Sequence, residues 1–268
     1  MIGTASGNTV GGVPVRKFLQ KGDPQPPPSN VIRIYSMRFC PYCDRVMIVA
    51  YKKGIPFELW YVNLSNKPEW FVSQHADGTV PVLEHHGKLL ADSRVIIEYL
   101  DDVFSETSIL SKEPFIRAKQ RYRANKLEML CETIRDMSYS TKLKGNLTLL
   151  AMDLAMAEQM LESTFFSGEL PSLPDIVLFP FFQRLHVMRQ FIKDKFLDTY
   201  LPNNYPKLVN WFIRMREMPE IRVVHESERY LREFLISKAN PNATNLGTDL
   251  DDQLLTGNFT TILPSSDN

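Results

Sequence analysis

Two rhythms of apolar and polar residues divide this chain, and the change falls just after Phe104. Up to that point short β-rich runs alternate with helical stripes. Val31 to Met37 predicts a strand. Pro41 to Lys53 predicts a helix, with Pro41 in the first turn, where its missing N–H costs nothing, and Gly54 as the stop. Phe57 to Leu64 is rich in β-formers and predicts a second strand. Pro68 to His75 predicts a short helix. Val80 to Glu84 and Lys88 to Ala91 flank His85-His86-Gly87 as a hairpin. Ser93 to Phe104 predicts a helix that carries Val95, Ile96, Ile97, Tyr99, Leu100 and Val103.

Beyond Ser105 to Ser111 the strand signal disappears. From Glu113 to Ser237 the stripes predict about five helices. Ala118, Tyr122, Leu127, Leu130 and Ile134 form one stripe, and Leu147, Leu150, Leu154, Ala157 and Leu161 another. Ser172-Leu173-Pro174-Asp175 has capping-box spacing ahead of Ile176 to Phe179, with Asp in place of the more usual Glu. Pro206 to Met218 and Glu220 to Ile236 complete the helical part. Residues 1–30, rich in Gly, Pro, Ser and Asn, predict an extended or disordered arm, and residues 238–268 a polar tail.

Composition narrows the function classes. The 268 residues carry 31 basic and 31 acidic side chains, so no whole-protein basic field is available for nucleic acid. No apolar run reaches the length of a membrane span. The N-terminus lacks a basic region followed by an apolar core. Three cysteines, Cys40, Cys43 and Cys131, are too few for a disulfide framework and fit a reducing compartment. A soluble cytoplasmic protein with neither nucleic-acid nor membrane partner is expected.

Cys40-Pro41-Tyr42-Cys43 stands where the first strand meets the first helix. A thiol there meets free backbone N–H groups and the positive end of the helix dipole, which favour the thiolate. Cys40 is therefore the candidate nucleophile. Two readings of Cys43 stand: a resolving thiol that attacks a mixed disulfide on Cys40, or a buried residue of the first turn. No metal is expected, because a zinc site asks for four ligands and no second Cys-x-x-Cys exists. Cys131, within a helical stripe, reads as an inert core thiol. The order β-α-β-α-β-β-α around such a motif is that of a thioredoxin-like domain, here followed by an all-α domain.

Three further features surround the motif. Val80-Pro81 precedes a strand; X-Pro frequencies favour trans, whereas a cis bond would offer the Val80 backbone to an extended peptide. Asp92-Ser93 opens a helix, with Ser93 as its expected cap, and either residue serves as an N-cap. A hydroxyl and an acidic group there also suit the carboxylate and ammonium of an amino-acid head group. Lys67 is a surface charge or the partner of a carboxylate.

Arg33 to Tyr42, Asn66 to Phe71, Val80 to Glu84 and Asp92-Ser93, extended by Phe179 to Leu185, closely resemble the omega class of glutathione transferases over residues 31–237. The resemblance implies a thioredoxin-like glutathione-binding domain at 31–104 and a helical substrate domain at 113–237, paired as a homodimer. It implies glutathione as co-substrate, a mixed disulfide on Cys40, and glutathione contacts from Phe39, Lys67, Val80, Asp92 and Ser93. Arg184 and Tyr230 would border the pocket for a small electrophilic or oxidised substrate. Implied activities are thiol transfer and reduction of dehydroascorbate and methylated arsenic acids. The family more often has Glu at the Asp92 position and Trp near Tyr230; charge and aromaticity are kept. Two alternatives share the architecture: an intracellular chloride channel-like protein and a non-catalytic glutathione-binding protein. Asn66 to Phe71, and the charges of Arg45, Lys52 and Lys53, favour the transferase.

Overall fold

The computed structural model describes residues 9–10, 13–14, 18–139, 147–192, 194–224 and 228–239. Two short strands, β1 (Thr9–Val10) and β2 (Val13–Pro14), pair antiparallel. Then follow β3 (Ile32–Ser36), α1 (Pro41–Lys52), β4 (Phe57–Tyr61), α2 (Glu69–Gln74), β5 (Val82–His85), β6 (Lys88–Ala91) and α3 (Ser93–Val103). The sheet order is β4-β3-β5-β6, with β3–β4 parallel and the other two pairings antiparallel. This is the mixed sheet expected of the thioredoxin-like domain.

The local chemistry accounts for each boundary. Gly54, at φ +63°, ends α1: its N–H bonds the Tyr51 carbonyl at 3.0 Å and the Ile55 N–H bonds Ala50 at 2.9 Å. That pair of bonds is a Schellman closure, which needs a left-handed residue after the cap. The β5–β6 turn is His86-Gly87, both at positive φ (52° and 72°), as a two-residue hairpin matched to strand twist requires.

Every residue of β3 is buried. Ile32 and Ile34 face one side of the sheet, and Arg33 and Tyr35 the other. Arg33 lies in register with Glu58 of β4 and Glu84 of β5 and forms ion pairs with them at 3.0 and 2.9 Å. Its remaining guanidinium nitrogen donates to the Pro27 carbonyl at 2.6 Å.

The described part of the expected arm therefore runs extended and docked. Phe18 stacks on Tyr61 at 5.3 Å, Leu19 exchanges hydrogen bonds with Tyr61 and Asn63, and Trp70 donates to the Asp23 carbonyl. Leu19 thereby covers part of the open edge of β4. Residues 1–8, 11–12 and 15–17 of that arm, and 240–268 of the expected tail, lie outside the described residues.

The second part is helical: α4 (Pro114–Tyr139), α5 (Leu147–Met160), α6 (Leu173–Met188), a π-turn at Phe196–Tyr200, then α7 (Leu201–Asn204), α8 (Pro206–Arg216), α9 (Pro219–Val224) and α10 (Glu228–Ala239). About five helices were expected; the extra breaks coincide with Pro202, Pro206 and Pro219, each in the first turn of a new helix. The single helix expected over Glu220 to Ile236 is likewise two, α9 and α10. Buried α6 runs through the middle of this part, packed against α1 and α4. Asp175 holds its start, accepting from the backbone and hydroxyl of Ser172 and from Trp211 Nε1. No helix among the described residues is long and apolar enough to cross a membrane.

Candidate active site

Cys40 is the N-cap of α1, with extended backbone (φ −87°, ψ 116°) and Pro41 beginning the helix. Its residue is 8% exposed, and its thiol approaches the Val80 carbonyl at 3.8 Å. The Val80–Pro81 peptide is cis, not the trans bond that X-Pro frequencies favour. Strand β5 begins directly after it.

The Cys40 thiol is lowered from 9.0 to about 7. The largest cause is a hydrogen bond from the Cys43 side chain. Burial opposes the shift, while the backbone N–H groups of Cys43 and Tyr42 and the positive charge of Arg184 add to it. Near neutral pH a large share of Cys40 is thus thiolate, the nucleophilic form. Burial, with the hydrogen bond to Cys40, pushes Cys43 up, so Cys43 keeps its proton. Burial pushes Cys131 up to about 12, and its thiol points at the Val177 carbonyl, as suits an inert core residue.

Arg184 arrives from α6. One guanidinium nitrogen donates to the Phe39 carbonyl, a single peptide before Cys40, and the group lies 5.8 Å from the Phe234 ring centroid. Phe234 of α10 in turn stacks on Phe39 at 4.6 Å. Cys40, Val80, Phe39 and Arg184 are therefore brought together from α1, the β5 entry and α6. Tyr230 is half-buried on α10 against the main core. On α10 the ring stacked on Phe39 is that of Phe234. Sequence reasoning passed over Phe234, which has no motif around it; its position in the α10 stripe was the available signal.

Lys67 reaches toward the same loop. A Cβ placed on Gly78, two residues before Val80, would sit 3.0 Å from the Lys67 ammonium, so this glycine (φ +58°) leaves the cation its place. Asp92, rather than Ser93, caps α3: its Oδ1 accepts from Arg94 N at 2.8 Å and Val95 N at 3.2 Å. The helix begins at Ser93, so Asp92 (φ 70°) is the residue flanking it, and its carboxylate lies over the first turn. Ser93 is buried, and its hydroxyl accepts from Arg45 Nη1 at 3.3 Å.

Arg45, read from the sequence only as a charge that favours the transferase, has a structural role that the reading did not foresee. Besides Ser93 it bonds the Val177 carbonyl at 3.0 Å and the Glu128 carboxylate at 3.1 Å, and lies over the Tyr42 and Phe181 rings at 5.0 and 4.8 Å. One side chain on the Cys40 helix thus reaches α3, α4 and α6. Among the described residues, no cluster of three or more His, Cys, Asp or Glu side chains has the makings of a metal site.

Residues 34–108 match the family model of the glutathione S-transferase N-terminal domain, and residues 143–214 that of its C-terminal domain. The chain is 32% identical over 240 residues to glutathione transferase omega-1 of Caenorhabditis elegans, covering 85% of this chain and 95% of that protein. It is 35% identical over 249 residues to glutathione S-transferase omega-2 of Rattus norvegicus, covering 86% and 95%. The fold is similar to the crystal structure of glutathione transferase Omega 1C from Trametes versicolor, with TM-score 0.71 and 20% identity over 81% of this chain and 99% of the other.

Proposed function

The chain belongs to the omega class of glutathione transferases, and from that membership we propose that it is a cytoplasmic thiol transferase and dehydroascorbate reductase in which Cys40 is the nucleophile. The enzyme uses glutathione as co-substrate. The observation that carries the reading is the Cys40 thiol itself, set at a helix N-terminus, lowered to about 7 and 3.8 Å from the Val80 carbonyl.

In the proposed cycle the Cys40 thiolate attacks the glutathionyl sulfur of a mixed disulfide, forming Cys40–S–S–glutathione and releasing the substrate as a thiol. A second glutathione thiolate then attacks that adduct, giving glutathione disulfide and restoring Cys40. Lys67 would meet a carboxylate of the tripeptide. The Val80 backbone would pair with its cysteinyl unit, in the manner of strand addition. Asp92 and Ser93 at the start of α3 would hold the γ-glutamyl head group, and Phe39 would line the same cleft. Arg184 and Tyr230 would border the oxidised or electrophilic substrate.

The reading also includes a homodimer. Phe115, Tyr122 and Met129 stand seven residues apart along α4 and are exposed, as is Val95 on the neighbouring α3. Between them run the ion pairs Arg117–Asp102 and Arg121–Glu98. Apolar anchors beside such charges have the composition of an interface.

The test is Cys40→Ser, assayed for glutathione-dependent reduction of hydroxyethyl disulfide and of dehydroascorbate, with circular dichroism alongside. Both activities are expected to vanish while the fold persists. Retained activity would remove Cys40 from the reaction.

A further inference from the structure

The cycle above leaves Cys43 without a role, yet this buried thiol, unlike Cys131, lies against the reacting sulfur of Cys40. Cys43 lies in the first turn of α1 and is fully buried. It shares a small cluster with Cys40 and Val80, and its side chain contacts the Cys40 sulfur. Closed to solvent, it is shielded from any external disulfide, and the reactive sulfur within its reach is Cys40. Beneath it stands Ser36, the last residue of β3. The Ser36 hydroxyl is buried and has no conventional hydrogen-bond partner; the group it faces is the Cys43 sulfur. A buried hydroxyl left unpaired costs about 1–3 kcal/mol, so one held in this place calls for an acceptor.

We propose that Cys43 is a second redox thiol, which displaces the group held in disulfide linkage on Cys40 while the Ser36 hydroxyl donates to the Cys43 thiolate. The proposal rests on Cys40 being the nucleophile. It extends the substrate class from glutathione mixed disulfides to peptide and protein disulfides, which a dithiol reduces directly.

The step is balanced. Cys43 loses its proton and its sulfur attacks the Cys40 sulfur of Cys40–S–S–R. The bond from Cys40 to the departing sulfur breaks and the Cys40–Cys43 bond forms. The leaving thiolate takes up a proton and departs as R–SH. The dithiol has been oxidised by two electrons and the substrate disulfide reduced by two. Glutathione, already the co-substrate, then opens the Cys40–Cys43 disulfide, and a second glutathione completes the return to two thiols.

The charges follow the same sequence. In the resting enzyme burial, the hydrogen bond to Cys40 and the Cys40 charge all keep the proton on Cys43. Once Cys40 is in a disulfide, its charge is gone. The Ser36 hydroxyl and the Met37 backbone N–H, which favour the Cys43 thiolate, then act against burial alone.

The experiment treats the reduced full-length protein with glutathione disulfide and reads intact mass after alkylation of free thiols. Wild type should carry no glutathionyl adduct and two fewer alkyl groups than the reduced protein alkylated directly, as a Cys40–Cys43 disulfide requires. Cys43→Ala should hold one glutathionyl group on Cys40, with Cys43→Ser as the second form if the alanine variant fails to fold. A wild-type adduct as lasting as that of Cys43→Ala would overturn the inference and leave Cys40 as the nucleophile. Absence of any adduct in both Cys43 variants would instead overturn the reading of Cys40, and the inference with it. Ser36→Ala should slow glutathione release from Cys40 about tenfold or more, the scale of one hydrogen bond to a charged group. It should also raise the pH midpoint of that release, which a merely structural role would leave in place. An unmoved midpoint would remove Ser36 from the step.

Discussion

Arg45 of α1 donates through one nitrogen to both carboxylate oxygens of Glu128 on α4, each at 3.1 Å, with its own side chain 1% exposed. An ion this deeply placed is tolerable because every nitrogen has an acceptor: Glu128, Ser93 and the Val177 carbonyl. The last of these belongs to α6, in the turn that precedes Pro180. The Cys40 helix is thereby fastened to the helical part at a point one turn from the reactive thiol.

Removing one partner should strand the other charge. Glu128→Ala is expected to destabilise the protein by about 3 kcal/mol, the low end for a buried pair because Glu128 keeps some solvent contact. Glu128→Gln, which retains an acceptor, should cost less. Urea denaturation followed by tryptophan fluorescence measures both. Equal midpoints for wild type and Glu128→Ala would mean that solvent replaces the carboxylate.

Cys40 should make stability depend on pH. Its folded value, about 7, lies below the ordinary 9.0, so folding favours the thiolate. The linked stabilisation is fully present above pH 9 and is lost as pH falls through 7; two units correspond to about 2–3 kcal/mol. The stability difference between wild type and Cys40→Ser should therefore grow in favour of wild type from pH 7 to pH 9, as read from denaturation midpoints. Arg184→Met should move the alkylation midpoint of Cys40 upward, because a cation beside the thiolate is lost. A midpoint that stays fixed would assign the low value to Cys43 and the backbone N–H groups alone.

The sequence made the elements around Cys40 legible because their signals are local. Pro41 and Gly54 bound α1 by their own backbone preferences, and the helix ends where Gly54 turns left-handed. Arg33 shows the opposite case. A charge within an apolar strand carries no local signal of its surroundings; it is buried because Glu58 and Glu84 come into register on both neighbouring strands. The roles of Arg45 and Phe234 were hidden for the same reason, since their partners lie far away in sequence, whereas Ser36 meets Cys43 only seven residues on, across the strand-to-helix turn. The Asp92 cap was ambiguous because Asp and Ser are both good N-caps, and only the point where the helical backbone begins, at Ser93, decides between them.

The exposed stripe on α4 makes a prediction about assembly. Sedimentation equilibrium of wild type should give a dimer, and Tyr122→Glu should shift it toward monomer. That change places a charge among Phe115, Met129 and Val95, where an interface would have to desolvate it. Identical masses for the two proteins at micromolar concentration would move the contact elsewhere.

Asp92 carries two assignments that a pair of substitutions separates. Its Oδ1 already accepts two backbone N–H groups of α3, and its negative charge is the proposed partner of the γ-glutamyl ammonium. Asn keeps an oxygen at the same place and tolerates the left-handed backbone, so Asp92→Asn should preserve the cap and remove only the charge. Its melting temperature should stay near that of wild type while the KM for glutathione rises. Asp92→Ala loses both, and should also cost about 1 kcal/mol of stability, the usual value of an N-cap. If Asp92→Asn leaves KM unchanged, the residue serves α3 alone, and the ammonium of glutathione must find its counter-charge on another side chain.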